Sequence, residues 1–585
     1  MKNKFSILLI VALILLCQVG FAQDVLVVEP GVGTLNQAIT TYGGTKIYQL
    51  KAGGWYQITA PIQNAGYHLQ IIGQEPAVKG GMPATLQTNA TAQGVVFAKM
   101  FDAQGDITLK NIYFVNADLT GVLGGAFLFN TADNARTVID RCILDPVSGG
   151  SAMNLSGQMQ KSYFTNNLFN RMGHQLSPND GHFFKTSRTG NIGFDTLLVQ
   201  NNTFVCIGTS VHNGDLGRTY VNKFSKFDHN TFVEQKSQLD WHKMESEYYW
   251  TNNLMFDMNT QPWSVTWNPM GGSDKGLPNT ALIYADTIPG DVFPSNTIQF
   301  VEYNMHYRNP KFYTLINELN TQGQKDGKPY LIFMPLVWPK DSSAVSRETN
   351  LFANDTSFPS WKVGNNTIDV DPQWTDSRIY TMSDNFVLWT KPATQVHAMG
   401  YSPSNFPIAA NWTKYHWDPD GDASNNLTWP LFNGVYRNPA MLIGSIEGLP
   451  LGDLNWFPES KTLWTKNKSR IDAHLKAAIE SKLDMVSGVK SINLSDIKTS
   501  CYPNPFSNQL TISYTLKNAA VVKLTILTLN GQTVTELVNQ SQVAGDYNSK
   551  WNGTNTDGKL TPNGMYLYRL QVGNKVASGR FVKIK

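Results

Sequence analysis

The chain has 585 residues, a formal net charge of +3 and only 16% charged residues, below the usual quarter. Residues 501–585 hold 9 basic and 3 acidic side chains, which leaves residues 23–500 at about −5 once Lys2 and Lys4 are set aside. That balance excludes a basic nucleic-acid binder, and the length calls for several domains.

Residues 1–22 read as a secretory signal peptide. Lys2 and Lys4 form a basic start, Phe5 to Leu16 an apolar stretch, and Gly20-Phe21-Ala22 a small-x-small cleavage site. The apolar run is too short to span a bilayer, and no later run is long and apolar enough to do so. Leu16 stands before Cys17 where a lipoprotein signal wants Gly or Ala. The mature protein is therefore expected to be secreted, soluble or surface-attached. Cys142, Cys206 and Cys501 remain, an odd number without tight spacing, and read as buried small apolar residues rather than a disulfide framework.

From residue 24 the chain reads as strands. Leu35 to Ile39 reads as a short helix that caps an open end. Ile47–Lys51, Trp55–Ile58 and His68–Gly73 read as the first strands. From Ile107 to Asp257 one phrase keeps returning: a short alternating strand, a polar corner residue, and a second short apolar strand. Taking Asn111, Arg141, Asn167, Asn202, Asn230 and Asn253 as equivalent, the steps are 30, 26, 35, 28 and 23 residues. A period in this range means a solenoid. Asn tolerates a left-handed backbone and so turns a corner between strands, and stacked Asn side chains hydrogen-bond along the stack. Inward Ile, Leu, Val and Phe would form a core that no single coil could form alone.

On this repeat, residues 23–400 resemble the right-handed parallel β-helix proteins of the pectate-lyase-like superfamily. The fold expected is mainly β: a parallel β-helix followed by a small C-terminal β-sandwich. Phe300–Asn304 reads as one more copy, 51 residues after Asn253. Thr367–Pro372 followed by Asn385-Phe386-Val387-Leu388 resembles the last coil. Residues 401–457 read as an aromatic, proline-rich loop extension. Residues 458–486 read as an amphipathic helix expected to pack along the solenoid, with Ile471, Leu475, Ile479 and Leu483 spaced by four. Residues 487–500 read as a linker.

Residues 501–585 carry close-spaced period-two strands, the pattern of a small Ig-like sandwich. Pro503-Asn504-Pro505, Gly564-Met565-Tyr566 and Phe581-Val582-Lys583 resemble the type A C-terminal sorting domain of the type IX secretion system of Bacteroidetes. The resemblance implies export by that machinery, with release or attachment at the outer-membrane surface.

No Gly-x-Ser-x-Gly elbow, zinc pattern, phosphate loop or paired-Asp constellation is present. Polar side chains do cluster between repeat copies. One run is His174, Asn179, Asp180, His182, Lys185 and Arg188; a second is His212, Asp215, Arg218, Lys223 and Lys226; a third is Asp240, His242, Lys243 and Glu245. Stacking of coils should bring the runs together. The resemblance implies a polysaccharide substrate, and eliminating across a uronate needs a base for the proton beside the carboxylate and positive charge for the developing enolate. Lys185, Arg188, Arg218 and Lys243 fit those roles by type. His182, His212, His242, Trp263 and Trp267 are the candidates for sugar contact, since aromatic faces stack on sugar rings. Asp418, Asp420 and Asp422 resemble a calcium loop, because alternate carboxylates converge on a hard cation. The plainer reading is that loop charges are solvated. The function expected is a polysaccharide lyase, with a non-catalytic glycan-binding adhesin or a glycoside hydrolase as alternatives. Calcium is the only cofactor considered, and the chain is expected to be monomeric.

Overall fold

The computed structural model describes residues 24–584, apart from 79, 90–95, 121, 123, 146–150, 173–181, 187–192, 209, 215–221, 236–239, 244, 259, 261, 265–282, 287–297, 334–336, 339–360, 398, 400, 403–431, 481–498, 517, 529–532 and 573–574. Two compact units are distinguished: the chain to Tyr436 with Leu451–Pro458, and Arg437–Pro450 with Glu459 onward.

The first unit is a parallel β-helix. Its first sheet has 11 strands from Asp24–Val28 to Trp361–Gly364, its second 11 from Gly31–Val32 to Thr367–Ile368, and its third 9 from Ile62–Ala65 to Val337–Trp338. Every strand pair within these three sheets is parallel. Alternation drives the core: in the second sheet Leu86, Phe114, Leu144, Phe169, Phe204, Phe232 and Met255 share one column and are buried. Phe169, Phe204 and Phe232 stack with centroids 4.9 and 5.0 Å apart. Helix Thr34–Tyr42 buries Leu35 and Ile39 against the first coil, as expected of a cap.

The corner between first and second sheets assigns two tasks to two adjacent residues. Asn111, Arg141, Asn166, Asn201, His229, Asn252, Tyr303 and Asn365 hold φ between 51° and 62°. The residue after each of the last six is an asparagine. Asn167, Asn202, Asn230, Asn253, Asn304 and Asn366 form a ladder, buried up to Asn304 and half-buried at Asn366, in which each Nδ2 donates to the next Oδ1 at 2.9–3.0 Å. The register sets Asn111 and Arg141 level with Asn166, so the equivalence with Asn167 is corrected by one residue. The first ladder position of that pair of coils is held by Ile112 and Cys142 instead.

The copy expected at Phe300 is strand Ile298–Glu302, and Asn304 extends the ladder. Asn385 to Leu388 is not strand but part of helix Arg378–His397. Phe386 and Val387 are both buried while Leu388 is 72% exposed, a pattern that fits a helix face and breaks strand alternation. This helix packs on helix Pro310–Lys325 through Phe312, Leu315, Ile316, Phe386 and Val387. Asn309 caps the latter, its side chain accepting from the Lys311 N–H, and Pro310 opens it.

In the second unit, helix Pro458–Glu480 precedes a sandwich of seven antiparallel strands. A three-stranded sheet pairs Leu510–Leu516 with Thr499–Tyr502 and Gly545–Trp551. A four-stranded sheet contains Thr533–Gln542, Ala520–Leu527, Gly564–Val572 and Lys575–Lys583. Phe506, Trp551, Tyr566 and Phe581 meet in its core. The chain is thus mainly β, a parallel β-helix with a C-terminal Ig-like sandwich. Among the described residues no helix is long and apolar enough to cross a membrane.

Candidate functional site

Each face of the solenoid has a different fate. On the second sheet, residues 451–457 lie as a strap over the coils around Asn201 to Asn252. The Gly452 N–H donates to the Asn252 carbonyl at 2.8 Å, and the Asp453 carboxylate accepts from Thr203 at 2.8 Å. The Asp453 N–H donates to Thr231 and the Trp456 indole to Thr203. Thr203, Val205, Thr231 and Val233 are buried on what would otherwise be the outer face.

The third sheet carries the sequence candidates. Its register sets Asp102, Phe129, Asn154, Lys185, Asn213, Trp241, Tyr284 and Trp338 level on successive strands. Asp102, Phe129, Asn154 and Lys185 are partly exposed. The neighbouring column of Phe101, Leu128, Met153, Phe184 and His212 is buried. Alternation therefore puts Asp102, Phe129, Asn154 and Lys185 on the outer face, while Asn213, Trp241, Tyr284 and Trp338 are placed by backbone register alone. Lys243 lies two residues beyond Trp241, with Asp286 as its register partner. Nearer the start of the column, Lys99 pairs with Asp102 at 2.7 Å and sits 5.1 Å from the Phe129 ring centre.

The histidines separate from the lysine. His212 is fully buried and stacks on Phe184 at 4.7 Å. His182 is buried, its Nδ1 2.6 Å from the hydroxyl of Ser210. Both are therefore interior residues and are withdrawn from the sugar-contact set. Phe183 and Phe184 are likewise in the core. His242 and Lys243 in Asp240–Lys243, and Trp263 in Trp263–Ser264, are placed by backbone position alone. Arg188, Arg218, Trp267, Asp418, Asp420 and Asp422 lie outside the described residues, as do His174, Asn179, Asp180 and Asp215. Of the second run, Lys223 pairs with Asp195 at 3.1 Å, and Lys226 is buried on the first sheet near Asp228. Among the described residues no cluster of three or more His, Cys, Asp or Glu is set to hold a metal.

Two ionisable groupings have no sequence counterpart. Arg171 forks onto buried Asp145 at 2.5 and 2.9 Å; burial pushes that carboxyl up and Arg171 opposes the shift. Asp257, fully buried, is pushed up to about 7 by burial, against hydrogen bonds from Ser383 and the Asn309 N–H. Arg171 lies 26 residues from Asp145, and Asn309 and Ser383 lie 52 and 126 from Asp257, so no local spacing signals either grouping.

In the sandwich, the sequence motif residues have structural work. The Asn504 Oδ1 accepts from the Val582 N–H at 2.8 Å, between Pro503 and Pro505. Lys583 is buried, its Nζ donating to the Thr561 carbonyl at 2.5 Å, and the Tyr566 hydroxyl donates to the Pro562 carbonyl at 2.7 Å. Gly564 has φ 148°.

A family model described as the FlgD Ig-like domain matches residues 506–575. No curated protein matches the chain. Among solved structures, one of PorZ, an essential bacterial surface component of the type-IX secretion system of Porphyromonas gingivalis, is 23% identical over 17% of this chain and 13% of that one, with a TM-score of 0.12. The PL6 family alginate lyase AlyGC is 16% identical over 48% of this chain and 39% of that one, with a TM-score of 0.29. The alkylpurine DNA glycosylase AlkC of Pseudomonas fluorescens is 15% identical over 34% and 60%, with a TM-score of 0.13. The chain therefore spans less than two thirds of each of these structures, and such scores carry no argument about chemistry.

Proposed function

We propose that the outer face of the third sheet binds an extended acidic polysaccharide and cleaves it by elimination. One observation carries the reading: the register sets Lys185 level with Asn213 and Trp241, with Lys243 two residues on and Asp286 beside it. Strands about 4.8 Å apart make this column a straight track for a polymer lying across them. A lysine there serves as the base once its pKa is depressed, and a second cation stabilises the enolate. Arg188 and Arg218 join this set if their loops reach the same face. Calcium, held by carboxylates such as Asp418, Asp420 and Asp422, would supply further positive charge. The test is ultraviolet absorbance of unsaturated uronate from pectate, alginate and glycosaminoglycans, with calcium and then with chelator.

A second reading, binding without cleavage, draws on Trp241, Tyr284 and Trp338, aromatics at the same register on three consecutive strands. Retention on a glycan array without any absorbance rise would favour it, and reducing ends without unsaturation would point to hydrolysis. The sandwich is proposed as a type IX sorting domain, with residues 1–22 as the leader and a secreted or surface-attached monomer as the product. Deleting residues 501–585 is expected to leave the protein in the periplasm; unchanged export would overturn that part.

A further inference from the structure

We propose that Asp257, Asn309 and Ser383 form a proton-dependent latch that holds the helix pair Pro310–Lys325 and Arg378–His397 on the β-helix. Asp257 follows strand Leu254–Phe256 of the second sheet and has φ 52°, a left-handed backbone that aims its carboxyl away from the strand line. One carboxyl oxygen accepts from the Asn309 N–H at 2.6 Å, and the other meets the Ser383 hydroxyl. The Asn309 amide closes the triangle, donating to the Ser383 Oγ at 2.7 Å and to Asp384 at 3.1 Å. Three segments distant in sequence, a coil corner and both helices, thus meet on one buried carboxyl.

Its charge state is the variable. Burial raises the carboxyl to about 7, and the donors and Arg308 only partly offset it. Coil residue Arg308 is buried, donates to the Met258 carbonyl and lies 4.0 Å from the Phe333 ring centre. Beside it, burial takes His306 down to about 3 and Tyr307 up to about 12, so neither changes charge near neutrality. From the helices, Lys311 and Asp384 pair with each other at 2.7 Å, and Tyr313 contacts Arg308 and Asp369. The folded value lies above the unfolded 3.8, so the folded state holds the extra proton between about 4 and about 7. The latch is therefore firmest at low pH, weakens as pH rises from about 4 towards 7, and levels off above that.

The helix pair is tied to the rim of the third sheet. Asn320 clamps Leu331 through both its amide atoms, and Leu331–Ile332 pairs with Trp263–Ser264 before the chain enters Val337–Trp338. Loosening the helices would free that rim.

The test is hydrogen exchange of residues 378–397 in the full chain between pH 5.5 and 8, corrected for intrinsic rates. Protection should fall about tenfold across the range in the wild type. In Asp257→Asn, which cannot titrate, it should stay flat. Should Asp257→Asn not fold, Ser383→Ala should move the loss of protection to higher pH, because a donor to the carboxylate is gone. The carboxylic-acid infrared band should disappear near neutrality in the wild type and be missing from Asp257→Asn. Protection independent of pH in the wild type, or a band unchanged from pH 5.5 to 8, would overturn the latch.

Discussion

Asn230 has all four hydrogen-bonding positions of its amide filled. Its Oδ1 accepts from the Asn202 side chain and main chain, and its Nδ2 donates to the Val199 carbonyl and the Asn253 Oδ1. Replacing it with alanine strands buried partners on both sides, so Asn230→Ala should lower stability by about 3 kcal/mol in chemical denaturation. Asn166, one step earlier at a corner, takes the left-handed conformation and is partly exposed. Asn166→Gly should cost only about 1 kcal/mol there, the worth of its hydrogen bond to Asp140, because glycine adopts that backbone without strain. Equal losses from both substitutions would contradict the division of labour between the two corner positions. The sequence made the corner legible because asparagine suits both tasks. For the same reason it could not tell the two positions apart, and the frame slipped by one residue at Asn111 and Arg141.

At the scale of elements, the strap and the aromatic stack predict opposite kinds of damage. Phe204 is fully buried and stacked on Phe169 and Phe232, so Phe204→Ala should cost about 3–5 kcal/mol of global stability. Asp453 joins the strap to Thr203 and, through its N–H, to Thr231. Asp453→Ala should instead speed limited proteolysis between residues 432 and 457 while leaving the melting of the coils nearly unchanged. Strands were legible through alternation, even across the long step from Asn253 to Asn304. The helix Arg378–His397 was not, because Asn385 to Leu388 in isolation reads as well for a strand as for a helix, and Pro392 sits inside the run. Nothing in residues 451–457 by themselves marks a strap: its partners lie about 220–250 positions away.

Taken whole, the solenoid carries a strap on one face, and on another its outer column includes Asp102, Phe129, Asn154 and Lys185. The sequence brought Lys185 and Lys243 forward by residue type, and the register relates them as level-plus-two on one sheet. It also brought forward His182 and His212, which the same sheet buries, because residue type alone does not distinguish an inward from an outward position. The column's other members, Asn154 and Asn213, went unnoticed: amides are common in this chain, and only parallel stacking singles them out. Lys185 is the base proposed on that column. The direct measurement is the rise in ultraviolet absorbance when the full chain, shown folded, meets pectate, alginate and glycosaminoglycans, repeated with Lys185→Ala. A rise is expected on one uronate-containing polymer, with a loss of about 10²–10⁴-fold in the variant. A flat trace on every polymer, or a variant as active as the wild type, would contradict it.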